Sequence, residues 1–485
     1  MKIGLITSSH RVASMESLMI SRFFMRSQKT LICTRLMASL ALCGVVLAGC
    51  ATPPPATTLQ HDLPSQWRTR LLQERSVALP DAVLVRLLQS ASQDNLTIKM
   101  AQERLRAARR TSQRSSGEFR PVLAARGAPV ANPDNSASFF QAGFDATWEL
   151  GLFGRSRSSQ LLASTETRLS DVDLRAARVV VRAEVARTYF ALRGQQERIG
   201  TLEQSIALAM RLEQLLARRH ALGLGARSQL DPVIELRLGL ESACARADEM
   251  LSRHAEALAV LLGRAEPDAD WMRPSDAPQL AVVAESLLEA SPADVLRRRP
   301  DMLRAELEVQ RAAARLGLAH SDLYPSVSIV GSLSAAFRAT GSLRRSPGGL
   351  LSIGPTIDIP LFDWGMRRAA RDARGAELQA ASLAYREAVL ESLSDAESAL
   401  ATLRATQLQL RNQQQQYELR AAAVLAIEAS QHRQMASDID LIGARLAALE
   451  ARRQLSEARE AQSEAYIALS KAFGDDAAPT AGGAG

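Results

Sequence analysis

Long apolar runs are missing from this 485-residue chain. No stretch of twenty apolar residues occurs, so no segment reads as a membrane-spanning helix. Aromatic residues make up only 4%, which fits long helices with small-residue seams better than a compact α/β core. Cysteine is equally scarce. Cys33 and Cys43 precede residue 50, and Cys244 sits alone in a helical pattern, as a small buried hydrophobe would, so no disulfide framework is available. The six histidines, His10, His61, His220, His254, His320 and His432, are scattered, with no pair at metal-ligand spacing. Neither a Gly-x-x-x-x-Gly-Lys loop nor a Gly-x-Ser-x-Gly elbow is present. The chain therefore reads as no enzyme, with no cofactor and no metal. Excess charge is largely lacking too. Of the formal +7, residues 1–49 hold +5, which leaves +2 for the remainder. Arg alternates with Glu and Asp from Glu103 onward at helical spacing, a solvated face, and nucleic acid is not an expected partner.

Proline is absent from Ser156 to Leu222 and from Met366 to Gln434. The first stretch alone would span about 100 Å as a helix, at about 1.5 Å per residue. Its apolar positions Val172, Ala176, Val179, Ala183, Ala186 and Phe190, then Ile199 to Leu216, recur mostly at steps of three and four, as in a coiled-coil seam. A similar seam runs through Leu393, Ala396, Leu400, Leu403 and Leu410.

Two short strand patterns precede these helices. Phe140, Ala142, Phe144, Ala146, Trp148 and Leu150 share one parity, with Gln141, Gly143, Asp145, Thr147 and Glu149 on the other. Leu351 to Leu361 alternates in the same way, and Thr147 to Phe153 lines up with Thr356 to Phe362. Each meets a glycine corner, Gly154-Arg155 or Gly365-Met366-Arg367. A partner strand starts at Pro121 in one half and at Pro325 in the other, and turn-forming residues lie between the strands. Each half thus reads as helix, β-hairpin, very long helix, tip and returning helix. In the first half the helix runs from Pro80 to Gly117 with Asn95 as an internal cap. The tip at Gly223-Leu224-Gly225 is followed by a capping box from Ser228 to Asp231. In the second half a capping box at Ser291 to Asp294 starts a helix that continues through Arg299-Pro300-Asp301 to about His320. The tip at Met435-Ala436 is followed by a box from Ser437 to Asp440.

At the N-terminus, Arg35 leads into an apolar stretch that ends Leu47-Ala48-Gly49-Cys50, a signal peptide whose end resembles a bacterial lipobox. The resemblance implies cleavage before Cys50 and its lipidation, and Ala51 implies sorting to the outer membrane. Met25 would make a more conventional start, so residues 1–24 read as an over-extended start. The segments are expected to be a signal peptide at 1–49, a lipid-anchored proline-rich tether at 50–79, a first repeat at 80–265, a linker at 266–290, a second repeat at 291–474 and a disordered tail at 475–485.

Four half-apolar strands cannot close on themselves, and an open edge in lipid leaves backbone groups unpaired. Three chains would supply twelve strands, an even number within the range of known barrels. With these residues in view, the chain resembles the outer membrane factors of tripartite export systems, the TolC-like channels, and in particular the NodT-type efflux lipoproteins. The lipobox, Thr147 to Arg155, Arg299-Pro300-Asp301, Tyr324-Pro325, and Leu361-Phe362 with Gly365 carry the likeness, from about Asp62 to Gly474.

The resemblance implies a mainly α fold with a membrane β-barrel: a two-repeat protomer, a homotrimeric 12-stranded barrel and a long periplasmic α-helical barrel. It implies a passive exit duct in the outer membrane, docked on a periplasmic adaptor and an inner-membrane pump of the proton-driven kind. The tips Gly223, Gly225, Arg227, Ser228, Ala436 and Ser437 would face the adaptor. Asp440, with Asp438 standing in for a second gate aspartate missing at Gly443, would ring the periplasmic constriction, while helix capping is a competing role for both. Gly151 departs from the aspartate common in relatives. A periplasmic adaptor, a structural lipoprotein and a type I secretion channel are the alternatives; an adaptor should carry one helical hairpin rather than two strand hairpins.

Overall fold

In the computed structural model, residues 64, 66–69, 82–130, 139–273, 291–338 and 350–474 are described. Cys50 and the two hairpin loops lie outside them. Contacts divide the chain into two units, and each takes pieces from both halves of the sequence.

The first unit, Phe119–Ser158 with Gly317–Arg368 among the described residues, is a sheet. Its strands are β1 (Val122–Val130), β2 (Phe139–Glu149), β3 (Ser326–Arg338) and β4 (Leu350–Asp358). They pair antiparallel in the order β1-β2-β3-β4. β1 begins just after Pro121, as expected, and β4 stops at Asp358, short of the expected Leu361. β1 and β4 are both edges. Their large apolar side chains stand in the open, with Leu123 71%, Leu351 71% and Ile353 76% exposed.

After β2 the chain turns a corner with Gly151, Phe153 and Gly154 at positive φ. Gly151 is required there twice over. Its φ is +56°, and a Cβ would lie 2.4 Å from the Phe119 ring, which leaves no room for a side chain at this position. Phe153 stacks on Tyr324 at 5.1 Å, Trp148 Nε1 donates to the Phe119 carbonyl at 3.0 Å, and Arg155 pairs with Glu149 and Asp322. The corner after β4 repeats the backbone, with Trp364 and Gly365 at positive φ. Here Asp363 caps the next helix through the Gly365 and Arg367 amides. Equal corners place Phe153 with Trp364, and equal hairpin pairing places Thr147 with Asp358. The sequence match of Phe153 with Phe362 is therefore two residues out. A shift of two keeps the strand parity, so the alternation alone does not expose it.

The second unit is helical. α1 (Ala82–Asp94) and α2 (Leu96–Gly117) are separated by Asn95, whose Oδ1 accepts from the Thr97 and Ile98 amides. Its Nδ2 donates to the Leu261 carbonyl, so one buried cap also holds a second helix. α3 (Arg155–Ala221) and α4 (Arg227–Leu261) have 67 and 35 residues. α5 (Pro292–Arg298) and α6 (Pro300–Ser321) follow, then α7 (Met366–His432) and α8 (Asp438–Ala472), again 67 and 35 residues. Much of the expected seams is buried, with Val172, Val179, Phe190, Ile199, Leu202 and Leu212 in α3 and Ala396, Leu400 and Leu403 in α7, while Ala176, Ala183, Ala186, Leu393 and Leu410 are half-buried. Each such leucine or isoleucine contributes about 1.5–3 kcal/mol on burial. Cys244 is half-buried against this core, and burial pushes its thiol pKa up, as for an inert packing residue.

One expected helix is broken. The chain does not run on through Arg299, which is extended (φ −65°, ψ 126°) between α5 and α6. Pro300 disfavours the α conformation at the residue before it and is itself suited to a first helical turn. The break lets Arg299 turn inward. The buried guanidinium pairs with Asp301 (Nη2 to Oδ2 2.6 Å) and Asp395 (3.2 Å), and donates to the Ser392 and Ala472 carbonyls at 3.2 and 2.9 Å. It ties α6 to α7 and to the end of α8. Burial would raise the Asp301 pKa, but the bonds from Arg299 prevail and hold it below the usual carboxylate range.

Part of the segment expected to be tether is docked. Trp67 stacks on Phe473 at 5.6 Å, and Glu397 accepts from the Arg68 and Thr69 amides. Within the expected linker, a 3₁₀ turn at Ala269–Met272 buries Trp271, whose carbonyl accepts from Gln196 Nε2 at 2.7 Å.

Candidate functional site at the helix turns

The turn between α3 and α4 closes as a Schellman motif. Leu224 N–H donates to the Arg219 carbonyl at 2.8 Å and Gly223 N–H to His220 at 2.9 Å, with Gly223 in the left-handed region that the motif needs. The turn between α7 and α8 has the same bonds, Met435 to Ser430 at 2.9 Å and Gln434 to Gln431 at 2.8 Å. Gln434 takes the left-handed position at φ 61°, which a side chain disfavours. Leu222, Leu224 and Met435 stand in solvent at the turns, with 73%, 66% and 69% exposure. Behind them Leu212, Leu216 and Ile442 form a small core with Leu230, Val233 and Ile439. That core fixes the turns from α3, α4 and α8.

The two restarts differ. Before α8, Ser437 Oγ accepts from the Asp440 amide at 3.2 Å, and Asp440 Oδ2 accepts from the Ser437 amide at 2.9 Å and hydroxyl at 2.7 Å. This is the expected reciprocal box. Before α4 the expected box is absent. Ala226 is the N-cap, with no side-chain cap, and Ser228 already lies within the first helical turn. Asp231 pairs with Arg227 at 3.5 Å instead of capping. The structural repeat explains the difference: Ala226 occupies the place of Ser437, so a Ser-x-x-Asp spacing two residues later cannot cap. His220 Nδ1 contacts the Gly225 carbonyl at 2.9 Å and braces that side of the turn.

Asp440 is exposed, and its bonds to the Ser437 hydroxyl and amide hold its pKa below the usual range. The carboxylate stays ionised and fixed in direction. Asp438 is exposed and contacts the Gln431 amide. Gly225, Arg227, Ser228 and Ala436 are at the turns as expected; Ala436 is half-buried.

An acidic position not anticipated from sequence is Glu460 on α8. Burial, and then the charges of Glu464 and Glu457, push its pKa up to about 7 against the opposing effect of Arg198. Gly194 on α3 makes room for it, since a Cβ there would lie 2.6 Å from Glu460 Oε2. Its mid-helix place among charged neighbours gave no sequence signal.

The family model described as outer membrane efflux protein matches residues 87–264 and 292–475. The toluene efflux pump outer membrane protein TtgC of Pseudomonas putida is 26% identical over 409 residues, covering 78% of this chain and 83% of that one. Nodulation protein T of Rhizobium leguminosarum is 27% identical over 411 residues, 81% and 80% of the two chains. The MtrE outer membrane channel of Neisseria gonorrhoeae, solved in its open state, superposes with a TM-score of 0.73 at 24% identity, covering 88% of this chain and 98% of that one. The fold is that of the TolC-type trimeric channels. TtgC is thus an outer membrane protein of an efflux pump and MtrE an outer membrane channel. With a match through both halves of the sequence, the chain belongs to the outer membrane efflux protein family.

Proposed function

We propose that three copies of this chain form the passive exit duct of a tripartite efflux assembly. One observation carries the reading: the four-stranded sheet has two open edges and leaves large apolar side chains uncovered. Unpaired edges in lipid are costly, and closure with further copies removes them. No described helix is long and apolar enough to cross a membrane. Cys50 would carry the lipid anchor. The turns at Gly223, Gly225, Arg227, Ser228, Ala436 and Ser437 would meet a periplasmic adaptor, and the adaptor would link the duct to an inner-membrane pump of the proton-driven kind. Transport through the duct needs no chemistry from this chain; the pump supplies the energy.

At the periplasmic end, Asp440 from three copies would form a carboxylate ring that narrows the pore and favours cations, with Asp438 beside it. The capping box and the gate are compatible roles. The box fixes the carboxylate and keeps it charged, as a gate at the first turn of a helix requires.

The test is single-channel recording in planar bilayers with the lipidated protein, beside Asp440→Asn and Asp440→Ala. Asn removes the charge and keeps a polar side chain for the cap; Ala removes both. Small cation-selective openings that enlarge in both variants support the ring. Openings unchanged in Asp440→Asn reduce Asp440 to a cap. Absence of conductance from a folded, lipidated oligomer overturns the duct.

A further inference from the structure

The repeat inside the chain specifies how two chains join. α2 and α6 both have 22 residues, and each is followed four residues later by the proline that opens β1 or β3. In the hairpins Val122 pairs with Thr147, and Ser326 with Asp358. β1 is thus equivalent to β3, with Val122 matching Ser326. β2 is equivalent to β4, with Thr147 matching Asp358. The chain already contains one junction between its halves, β2 against β3, in which Thr147 faces Val330. The unfilled junction is β4 against β1 of another copy.

We propose that this seam repeats the β2–β3 register, so that Asp358 lies directly opposite the partner subunit's Arg126, and Trp364 lies over the partner subunit's Arg120. The proposal rests on the trimeric duct above and adds its subunit contact.

Three separate features meet at this register. The first is charge. Asp358 and Arg126 are an exposed carboxylate and an exposed guanidinium on opposite edge strands. Both lie on the polar parity of the sheet: Arg126 pairs with Gly143, and Asp358 with Ser326. Arg126 already reaches Asp145 Oδ2 at 3.3 Å, and its five donors can serve a second carboxylate. Opposite charges facing each other across a strand pair favour that register.

The second feature is proline. Leu150 N–H donates to the Val327 carbonyl at 3.1 Å, so even-numbered residues of β2 hydrogen-bond toward β3. Carried to β4, the residues that hydrogen-bond toward the seam include Pro355. The proposed register sets Pro355 opposite the partner subunit's Pro129. Each proline sits on an edge with its donorless nitrogen outward, where proline is tolerated. Their coincidence confines the lost donors to one rung instead of two.

The third feature is the corner. Phe153 is covered by Tyr324 at 5.1 Å, whereas its equivalent Trp364 is 86% exposed and touches only the neighbouring Phe362 among the ring contacts of the described residues. Tyr324 and Arg120 hold equivalent places, each just before the strand-opening proline. A guanidinium over an indole face is a favourable pairing.

Paired cysteines test the register. Arg126→Cys with Asp358→Cys, in full-length lipidated protein carrying Cys244→Ala, is oxidised in membranes and run on non-reducing gels. Asp358 falls on a non-hydrogen-bonded rung, where Cα atoms approach to about 4.5 Å and a disulfide can form. Within one chain Arg126 is level with Leu350, so Asp358 lies three strand spacings across and eight residues along the sheet from it, about 30 Å away at about 4.8 Å per strand and about 3.3 Å per residue, too far for an internal bridge. Covalent dimers and trimers are expected, at several-fold higher yield than from Ala124→Cys or Ala128→Cys combined with Asp358→Cys. A higher yield from either shifted pair overturns the register. Absence of crosslinks from all three pairs, in protein that light scattering shows to be trimeric, overturns the β4–β1 seam. Protein that light scattering shows to be monomeric overturns the trimer itself. As a second arm, Arg126→Asp and Asp358→Arg should each lower the temperature at which the trimer dissociates in detergent, and the double exchange should restore it. Failure to restore removes the ion pair from the seam.

Discussion

Replacing Arg299 with methionine keeps much of the side-chain volume and removes every donor. Four partners are lost together: Asp301, Asp395, the Ser392 carbonyl and the Ala472 carbonyl at the end of α8. Breaking a buried ion pair costs about 3–5 kcal/mol, chiefly because a charge is stranded. Here the stranded charges are half-open, with Asp301 and Asp395 side chains 53% and 63% exposed, so water recovers part of that. The two carbonyl bonds to a charged donor add about 1.5–3 kcal/mol each at most, and less where the carbonyl keeps a helical partner. An overall loss of about 2–4 kcal/mol follows. Arg299→Lys should recover only part of it, since an ammonium is a point charge and cannot serve Asp301, Ser392 and Ala472 at once.

The assay is hydrogen exchange of the trimer in detergent, read on peptides from the end of α8 and the start of α6, with thermal unfolding beside it. Faster exchange at both sites is expected in Arg299→Met. Wild-type exchange and melting in that variant would refute the clamp. pH gives a second arm. The folded pKa of Asp301 is depressed, so its contribution is complete above the unfolded value of about 3.9 and is lost as pH falls through the folded value. Asp301→Asn should therefore flatten the loss of stability below about pH 4.

Other outcomes follow from the corners and turns. Ser437→Ala should cost about 1 kcal/mol through the lost cap, and Ala226→Ser should gain up to about 1 kcal/mol at the equivalent turn, both read by thermal unfolding. Gly151→Ala should weaken the sheet corner, because its Cβ meets Phe119 at 2.4 Å; lower yield of folded trimer checks this. Glu460 has a folded pKa raised to about 7, so its ionisation opposes folding. Stability from this group is complete below the unfolded value of about 4.3 and declines as pH rises to about 7. Glu460→Gln should remove that decline in melts taken from pH 5 to 8.

Much of the fold was legible because long helices announce themselves. Proline-free stretches with seams at steps of three and four gave α3 and α7 to within a few residues, and the alternation of Phe140 to Leu150 gave β2. Local chemistry with more than one solution was less legible. Ser228 and Asp231 have the spacing of a capping box, but where the turn closes is decided by Gly223 and the backbone bonds around it, and the helix begins two residues earlier than the box requires. At Arg299 the helical pattern resumes at once and hides the break that Pro300 signals. At the candidate site, the box at Asp440 could be read directly, since both partners lie within one turn. Glu460 could not, because its shift depends on a helix more than 250 residues away in sequence, where Gly194 opens the space it fills.

The matched lengths of the helix pairs, 67 and 35 residues in both halves, restrict how this protein can change. One residue inserted into α3 would rotate every side chain beyond it by about 100° and advance it by about 1.5 Å, carrying Leu212 and Leu216 away from Ile442. A matching insertion elsewhere would have to restore the phase. The segments between the strands are bound by no such helical phase, and their lengths differ between the halves, with eight residues between β1 and β2 and eleven between β3 and β4. Length variation among descendants of this sequence should therefore collect at the loops, while changes in the long helices should come as coordinated sets or not at all.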